Sequence, residues 1–270
     1  MQGSSRAAAV DSRSAFTGVL AAGGDRTRLA EELFSVVALL DGNVTLRRAI
    51  ADPSKDGARK VHLTERLFTD RVSPEALAVL NGVASQRWSS ERDLSDTLER
   101  YAVETVIADA ESSGSADKVE DELFRFERIV AADPALRTAL ADTSASVQRR
   151  SSLVGSLLEG KVSPQTLVLA RQVVAAPRGR RFDSAVRHYL EIASTRREQQ
   201  TATIISAVPL QEQERDRLAA GLSAIYGGTI HVNPVVDPRV LGGIKVEIGD
   251  EVIDGTVIRK LDAARRAMGA

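Results

Sequence analysis

Apolar residues along the first two hundred positions recur with the period of a helix. Leu33, Val36, Val37 and Leu40 fall at i, i+3, i+4 and i+7, and Leu123, Phe126 and Val130 repeat that stripe. Such spacing places the apolar groups on one face of an α-helix. Helix starts are marked by Ser73-Pro74, Ser163-Pro164 and Asp133-Pro134. There the polar side chain caps a free N–H, and proline occupies the position whose N–H would go unbonded. Gly23-Gly24, Gly42-Asn43 and the serine-rich stretch 112–115 read as loops between helices.

The same stretch matches itself at an offset of 90. The triplet ELF at 32–34 returns at 122–124; Leu46, Arg47, Ala49, Ala51 and Asp52 return as Leu136, Arg137, Ala139, Ala141 and Asp142. Leu63 and Leu67 correspond to Leu153 and Leu157, Val72-Ser73-Pro74 to Val162-Ser163-Pro164, and Leu77 to Leu167. After a two-residue gap, Arg92 corresponds to Arg180 and Tyr101 to Tyr189. A fixed period of this kind marks a duplicated structural unit. We expect helical bundles at 1–100 and 101–200, the second starting near Tyr101 on the helix that ends the first.

From Thr201 the period changes. TATIISAV (201–208) is rich in β-branched residues and reads as a strand. A helix follows over 211–226, with Leu218, Leu222 and Ile225 on one face, and Gly227-Gly228 ends it. Residues 229–232 read as a second strand. Ile244, Val246 and Ile248 alternate with Lys245, Glu247 and Gly249, and Gly249-Asp250 fits a hairpin turn into Glu251-Val252-Ile253. A closing helix carries Val257, Leu261, Ala264 and Met268. The fold class expected is therefore mostly α: two tandem helical bundles, then a small α+β domain over 201–270.

Composition narrows the function. Aromatics are 4% of the 270 residues, so the core is built from Ala, Leu, Val and Ile. The net charge of −1 offers no global field for nucleic acid or anionic membrane. Absence of cysteine excludes disulfides, thiol catalysis and cysteine zinc sites. No apolar run spans a bilayer, and Asp11 and several serines interrupt any signal-peptide core. His62, His188 and His231 lack metal-ligand spacing. Asp254-Gly255-Thr256 lacks the nucleophilic carboxylate two positions earlier, where Val252 stands. Asp237, Asp250 and Asp254 adjoin proline or glycine and read as turn residues. Gly242-Gly243 precedes a strand, which suits a bulge better than a phosphate cradle. Arg178, Arg180 and Arg181 read as a solvated loop or a contact for an acidic partner, and Trp88 as a core filler. Neither a catalytic, a metal nor a cofactor site is expected.

The stretch VVDPRVLGGIKVEIGDEVIDGTVIRKL (235–261) resembles the C-terminal signature of the delta subunit family of F-type ATP synthases, which includes the oligomycin-sensitivity-conferring protein. The pattern is carried by Val236, Asp237, Pro238, Leu241, Gly242, Gly243, Gly249, Asp250, Asp254, Gly255, Thr256 and Leu261; threonine at 256 replaces the usual serine. Its doubled helical part resembles enlarged delta subunits of high-GC Gram-positive bacteria. The resemblance implies a non-catalytic peripheral-stalk subunit on the cytoplasmic face of the cell membrane, peripheral to it. It would link the catalytic head to the membrane sector so that rotation drives ATP synthesis. The implied partners are the N-terminal helix of an alpha subunit, for the helical bundle, and the C-terminus of the stalk b subunit, for the last domain. The first bundle would add a further stalk or head contact. A free-standing helical-repeat scaffold is the alternative that the duplication alone suggests.

Overall fold

The computed structural model describes residues 3–142, 144–199, 201–226, 230–240, 242–249 and 251–255. The chain divides into two compact units, Met1–Ala193 and Ser194–Ala270. In order, the helices are α1 (Ser4–Ala22), α2 (Arg26–Gly42), α3 (Val44–Ala51), α4 (Gly57–Phe68), α5 (Pro74–Ala84), α6 (Glu91–Ser112), α7 (Ala116–Ala132), α8 (Pro134–Ala141), α9 (Val147–Leu158), α10 (Pro164–Ala175) and α11 (Phe182–Gln199). The C-terminal unit adds β1 (Thr201–Ser206), α12 (Glu212–Tyr226), β2 (His231–Val236), β3 (Ile244–Ile248) and β4 (Glu251–Asp254). The chain is mostly helical with a small mixed sheet at the end, as its sequence pattern implies.

Helices start where the caps stand. Asp25 accepts from Arg28 N at 2.9 Å, Asn43 from Leu46 N at 3.0 Å and Ser146 from Arg149 N at 3.2 Å. Asp133 accepts from both Ala135 N and Leu136 N, at 2.9 and 3.0 Å, just before Pro134. Each such cap contributes about 1 kcal/mol by satisfying an orphan backbone donor. The starts of α2, α3, α4 and α5 recur 90 residues later as those of α7, α8, α9 and α10.

Helix α6 departs from the usual amphipathic plan, because it is buried on several faces at once. The buried residues of α1 are Ser5, Ala8, Ser12, Phe16 and Leu20. Ninety residues on stand Ser95, Leu98, Ala102, Val106 and Ala110, all buried in α6. The buried residues of α11 include Ala185, Val186, Tyr189, Ile192 and Ala193. Eighty-eight residues earlier stand Thr97, Leu98, Tyr101, Glu104 and Thr105, again all buried in α6. One helix therefore carries the inward face of a last helix and the inward face of a first helix. Its burial follows: the main core runs from Ala8 to Ala193 through Leu94, Leu98 and Val103, while a smaller cluster under α7–α10 holds Phe126, Val130, Val154 and Val174.

Packing around α6 is close. The Phe16 and Tyr101 rings stack at 4.2 Å, and the Tyr101 hydroxyl donates to Ala9 O at 3.1 Å. Trp88 is buried in this core and donates its indole N–H to Val83 O at 2.9 Å. Buried aromatics of this kind contribute large apolar area, with their polar atom satisfied.

The sheet has the order β2-β1-β3-β4. β1 and β2 are parallel, joined through α12, and the other pairings are antiparallel. Parallel neighbours need such a crossover. Ala202, Ile204, Val246 and Ile248 point inward and meet Leu222 and Ile230. Period-two alternation in β1 and β3 matches this one-sided burial. The second strand runs His231–Val236, later than the 229–232 expected, since its pairing is set by β1 residue for residue from Thr201. Gly227-Gly228 and the closing helix at 257–268 lie outside the described residues.

Helix α5 approaches α1 at Gly82, where an added Cβ would sit 2.5 Å from the Ala15 Cβ. Gly82→Val should therefore destabilise the helical unit by about 1–3 kcal/mol in a urea titration, through overpacking. Gly18→Ala, at an open helical position with nothing within 4 Å, should stabilise by about 0.5–1 kcal/mol. Equal responses at the two sites would refute the close α1–α5 contact.

Candidate functional site

The C-terminal signature residues build turns and register. Val236 ends β2, and the Asp237 N–H donates to Ser206 O at 2.9 Å, tying the ends of β2 and β1 together. The Asp237 carboxylate accepts from Arg239 N at 2.9 Å and from the Arg239 guanidinium at 2.9–3.2 Å across Pro238. Hydrogen bonds from Arg239 hold that carboxyl below the usual carboxylate range. Gly242 and Gly243 have φ of 89° and 81°, the left-handed region that glycine enters without steric strain. Gly249 (φ 54°) closes β3 before β4. At the far end of that pair, Asp254 faces Lys245 in register, and the Gly255 N–H donates to Ile244 O at 3.0 Å. A Cβ on Gly255 would lie 3.1 Å from that same oxygen. Leu241, Asp250, Thr256 and Leu261 lie outside the described residues. The arrangement sets strand ends; among the described residues no cluster of metal-ligating side chains exists.

The helical unit holds a denser polar centre. Glu99 on α6 is fully buried. It accepts from Arg178 Nη1 at 2.6 Å, from Arg180 Nη1 at 2.9 Å at both oxygens, and from the Tyr189 hydroxyl at 3.3 Å. Arg178 also reaches Asp41 on α2 at 2.6 Å, Asp96 at 2.9 Å and Ser95 Oγ at 3.0 Å. Its side chain is 8% exposed. Burial works against the guanidinium charge, yet Glu99, Asp41 and Asp96 more than offset it, so Arg178 holds its proton more firmly than usual. Burial, and then the Glu99 charge, push the Tyr189 hydroxyl well up. Burial likewise raises Asp96, against the pull of Arg178. The backbone of Arg178 is left-handed (φ 53°), a conformation costing a non-glycine residue about 1–2 kcal/mol. A guanidinium fork with so many acceptors offsets that strain.

A second polar device occurs twice. Glu32 accepts from Ser73 N at 2.8 Å and from Ser73 Oγ at 2.5 Å. Ninety residues on, Glu122 accepts from Ser163 N at 2.9 Å, Ser163 Oγ at 2.7 Å and Thr166 Oγ1 at 2.7 Å. The repeated ELF and VSP motifs are thus the two ends of one contact, which pins the second helix of each copy to the start of the fifth. Burial alone would raise both carboxyls. For Glu32 the bonds from Ser73, and for Glu122 those from Thr166 and Ser163, outweigh it and hold both low.

The family model for the ATP synthase delta (OSCP) subunit matches residues 97–268. This chain belongs to that family. Curated relatives extend the match to the first repeat. ATP synthase subunit delta of Thermobifida fusca is 41% identical over 268 residues, covering 99% of each chain. The same-named protein of Kineococcus radiotolerans is 48% identical over 248 residues, covering 92% of this chain and 90% of its own, and that of Streptomyces griseus is 43% identical over 90% of both. A chain in the cryo-EM structure of the Toxoplasma gondii mitochondrial ATP synthase hexamer is 16% identical, covering 62% of this chain and 95% of its own with a TM-score of 0.31, too slight to carry an argument. As a delta subunit the protein is a structural member of the peripheral stalk of a membrane-associated ATP synthase, and it is not an enzyme. No described helix is long and apolar enough to cross a membrane.

One expectation about the delta subunit needs correction. Arg178 and Arg180 form no solvated loop and await no outside acid, since they are consumed by Glu99, Asp41 and Asp96. Arg181 alone of the three is well exposed, beside Asp183 at 3.5 Å. Sequence reasoning missed Glu99 and the Glu32–Ser73 and Glu122–Ser163 contacts. The signal for the latter was available: both partners recur at the same offset, 41 residues apart in each copy.

Replacing Arg178 with alanine strips Glu99 of its shortest partner, and the helical unit should lose about 3–5 kcal/mol in urea unfolding. Arg178→Lys should recover only part, because an ammonium cannot fork to three acids. Glu122 yields a pH test. Its native pKa is lowered, so its contribution is complete above the unfolded carboxyl value of about 4.3 and is lost as pH falls through the native value. The stability gap between wild type and Glu122→Gln should therefore narrow as pH falls from 6 to about 3. A gap constant across that range would remove the ionised Glu122 from the account.

Proposed function

We propose that the two helical copies, 1–100 and 101–200, share α6 and that their fused unit receives the amphipathic N-terminal helix of an alpha subunit. The C-terminal domain, 201–270, takes the C-terminus of the peripheral-stalk b subunit, and the subunit works at the cytoplasmic face of the cell membrane. Its signature residues, Val236, Asp237, Pro238, Gly242, Gly243, Gly249, Asp254 and Gly255 together with Leu241, Asp250, Thr256 and Leu261, serve as structural residues of that domain. The observation that carries the reading is the family match over 97–268, which takes in most of α6, α7 through α11 and the sheet.

Two features of the surface support it. Phe124 on α7 is 50% exposed, whereas Phe34, its counterpart on α2, is 5% exposed. An exposed aromatic on a helical bundle suits a partner helix that lays its apolar stripe across it. In the C-terminal unit, β2 and β4 are the edge strands and expose Val235, Val236, Val252 and Ile253. Edges of that kind take up a further segment of chain. Attachment through two separate units raises avidity without requiring either contact to be tight.

Titrating the isolated protein with a peptide of the alpha-subunit N-terminal helix, followed by backbone amide NMR, tests the reading. Saturable shifts confined to 101–200 are expected. Shifts confined to 1–100 would transfer the receptor role to the first copy, and the absence of saturable shifts would overturn head attachment through this unit.

A further inference from the structure

The two copies carry different side chains on the outer face of their third and fourth helices. In the first copy a cavity of about 280 Å³ opens there, with Lys55, Arg59, His62 and Arg66 at its rim. Ala49 and Leu63 form an apolar floor, and the aliphatic stem of Lys60 completes it. Lys60 itself is 1% exposed and its ammonium donates to Gln86 O at 2.5 Å. No carboxylate lines the cavity. Asp52, close by in the preceding loop, is already occupied by Ser54 N and Oγ at 2.9 and 2.7 Å and by Lys55 at 3.8 Å.

The second copy supplies an internal control. At the same offset of 90 the floor is kept as Ala139 and Leu153, and the buried cation as Arg150, which donates to Asp142 O at 2.8 Å. Arg149 stands where Arg59 does, but Ala145, Ser152 and Ser156 replace Lys55, His62 and Arg66. The bundle therefore folds without that rim, and its three basic groups are not explained by packing. In a chain of net charge −1, Lys55, Arg59 and Arg66 make this rim locally positive.

We propose that this face of the first copy is a docking site for an acidic amphipathic helix of another ATP synthase subunit. The shape argues for a helix. Arg59, His62, Leu63 and Arg66 fall at i, i+3, i+4 and i+7 on α4, a stripe about 10 Å long. Two turns of a partner helix with carboxylates at matching spacing would lie along it, with a leucine between them on Ala49 and Leu63. Arginine forks bind carboxylates in pairs, and an apolar floor beneath them lowers the local dielectric and strengthens each pair. A small anion would use the cations and leave the floor idle. This assignment rests on the delta subunit's place in the stator; it deepens that reading by giving the first copy its own partner chemistry.

The test uses the isolated protein and a short labelled helical peptide with Glu at i, i+3 and i+7 around one Leu. Fluorescence anisotropy should show saturable binding that weakens with salt. The Lys55→Ala, His62→Ser, Arg66→Ser triple variant inserts the second copy's own residues, so its thermal midpoint should stay at the wild-type value. Its affinity for the peptide should fall about tenfold or more. Glu→Gln and Leu→Ser versions of the peptide should each bind the wild type more weakly. Undiminished binding by the triple variant, or by the Gln peptide, would overturn the proposal, as would no binding at all. If pyrophosphate or anionic vesicles bind the wild type with the same dependence on the three residues while the Leu→Ser peptide loses nothing, the site belongs to a small anion or a lipid surface, and the helix assignment falls. None of these outcomes touches the alpha-helix titration at 101–200, which the triple variant should leave unchanged; failure there would instead sink the head-attachment reading.

Discussion

Glu99 lies fully buried in the middle of α6, and the helical unit is arranged around supplying it with partners. An ionised carboxylate taken from water without partners costs several kcal/mol. Here it receives two guanidinium groups and a phenol from the α10–α11 loop and α11, while one of those guanidinium groups also grips Asp41 on α2. Elements far apart in the chain are thereby obliged to meet at one point. Apolar packing alone gives cohesion with little directionality. The cluster adds direction, because its bonds satisfy all partners only when α2, α6 and α11 hold one mutual arrangement. The left-handed backbone at Arg178 belongs to the same demand: the loop is bent so that its side chain reaches the centre.

Burial of α6 on several faces has its origin in the duplication. A bundle of this kind has a first helix and a last helix, each with one apolar face. When two copies run in tandem through a common helix, that helix must show both faces at once, and little of its surface is left for solvent. Helix propensity then matters less than fit. Short side chains at Ala102, Ala108 and Ala110 let neighbouring helices close in, and Ser95, Thr97 and Thr105 bond their hydroxyls back to carbonyls within the helix. A main core that reaches into both copies is the consequence, so the copies cannot slide past one another without dismantling α6.

Much of this was legible in the sequence. Period-3.6 stripes located α2 and α7, Ser-Pro and Asp-Pro starts located α5, α8 and α10, and the offset of 90 tied the copies together, because caps and stripes are local features. The strands β1 and β3 were legible for the same reason, and the Asp237, Gly243 and Gly255 turns follow from residue chemistry. Arg178 was not. Its partners Asp41 and Glu99 are 137 and 79 positions away, and a basic run reads the same whether it faces water or a buried acid. Likewise β2 begins later than its β-branched residues suggest, since an edge strand takes its register from its neighbour. The motif ELF was visible as a repeat but not as a contact: Glu32 needs Ser73, and pattern alone does not say which repeated motifs touch.

A stator subunit carries load between a head that is driven to turn and a stalk that must not. For such a part the relevant property is resistance to shear rather than depth of the free-energy minimum. Buried ion clusters are poor contributors to net stability, because desolvation cancels most of the Coulomb gain. Their hydrogen bonds are directional, however: moving a guanidinium by an ångström from its acids breaks the short N–H···O geometry while the desolvation cost stays. Apolar contacts are non-directional and fix no such bonding geometry. A core that is mostly Ala, Leu and Val, pinned at Glu99 by Arg178 and in each copy by a glutamate bonded to the start of a distant helix, combines cohesion with stiffness. On this argument the duplication, by merging two bundles through α6, removes the flexible linker that tandem domains would otherwise place in the path of the torque.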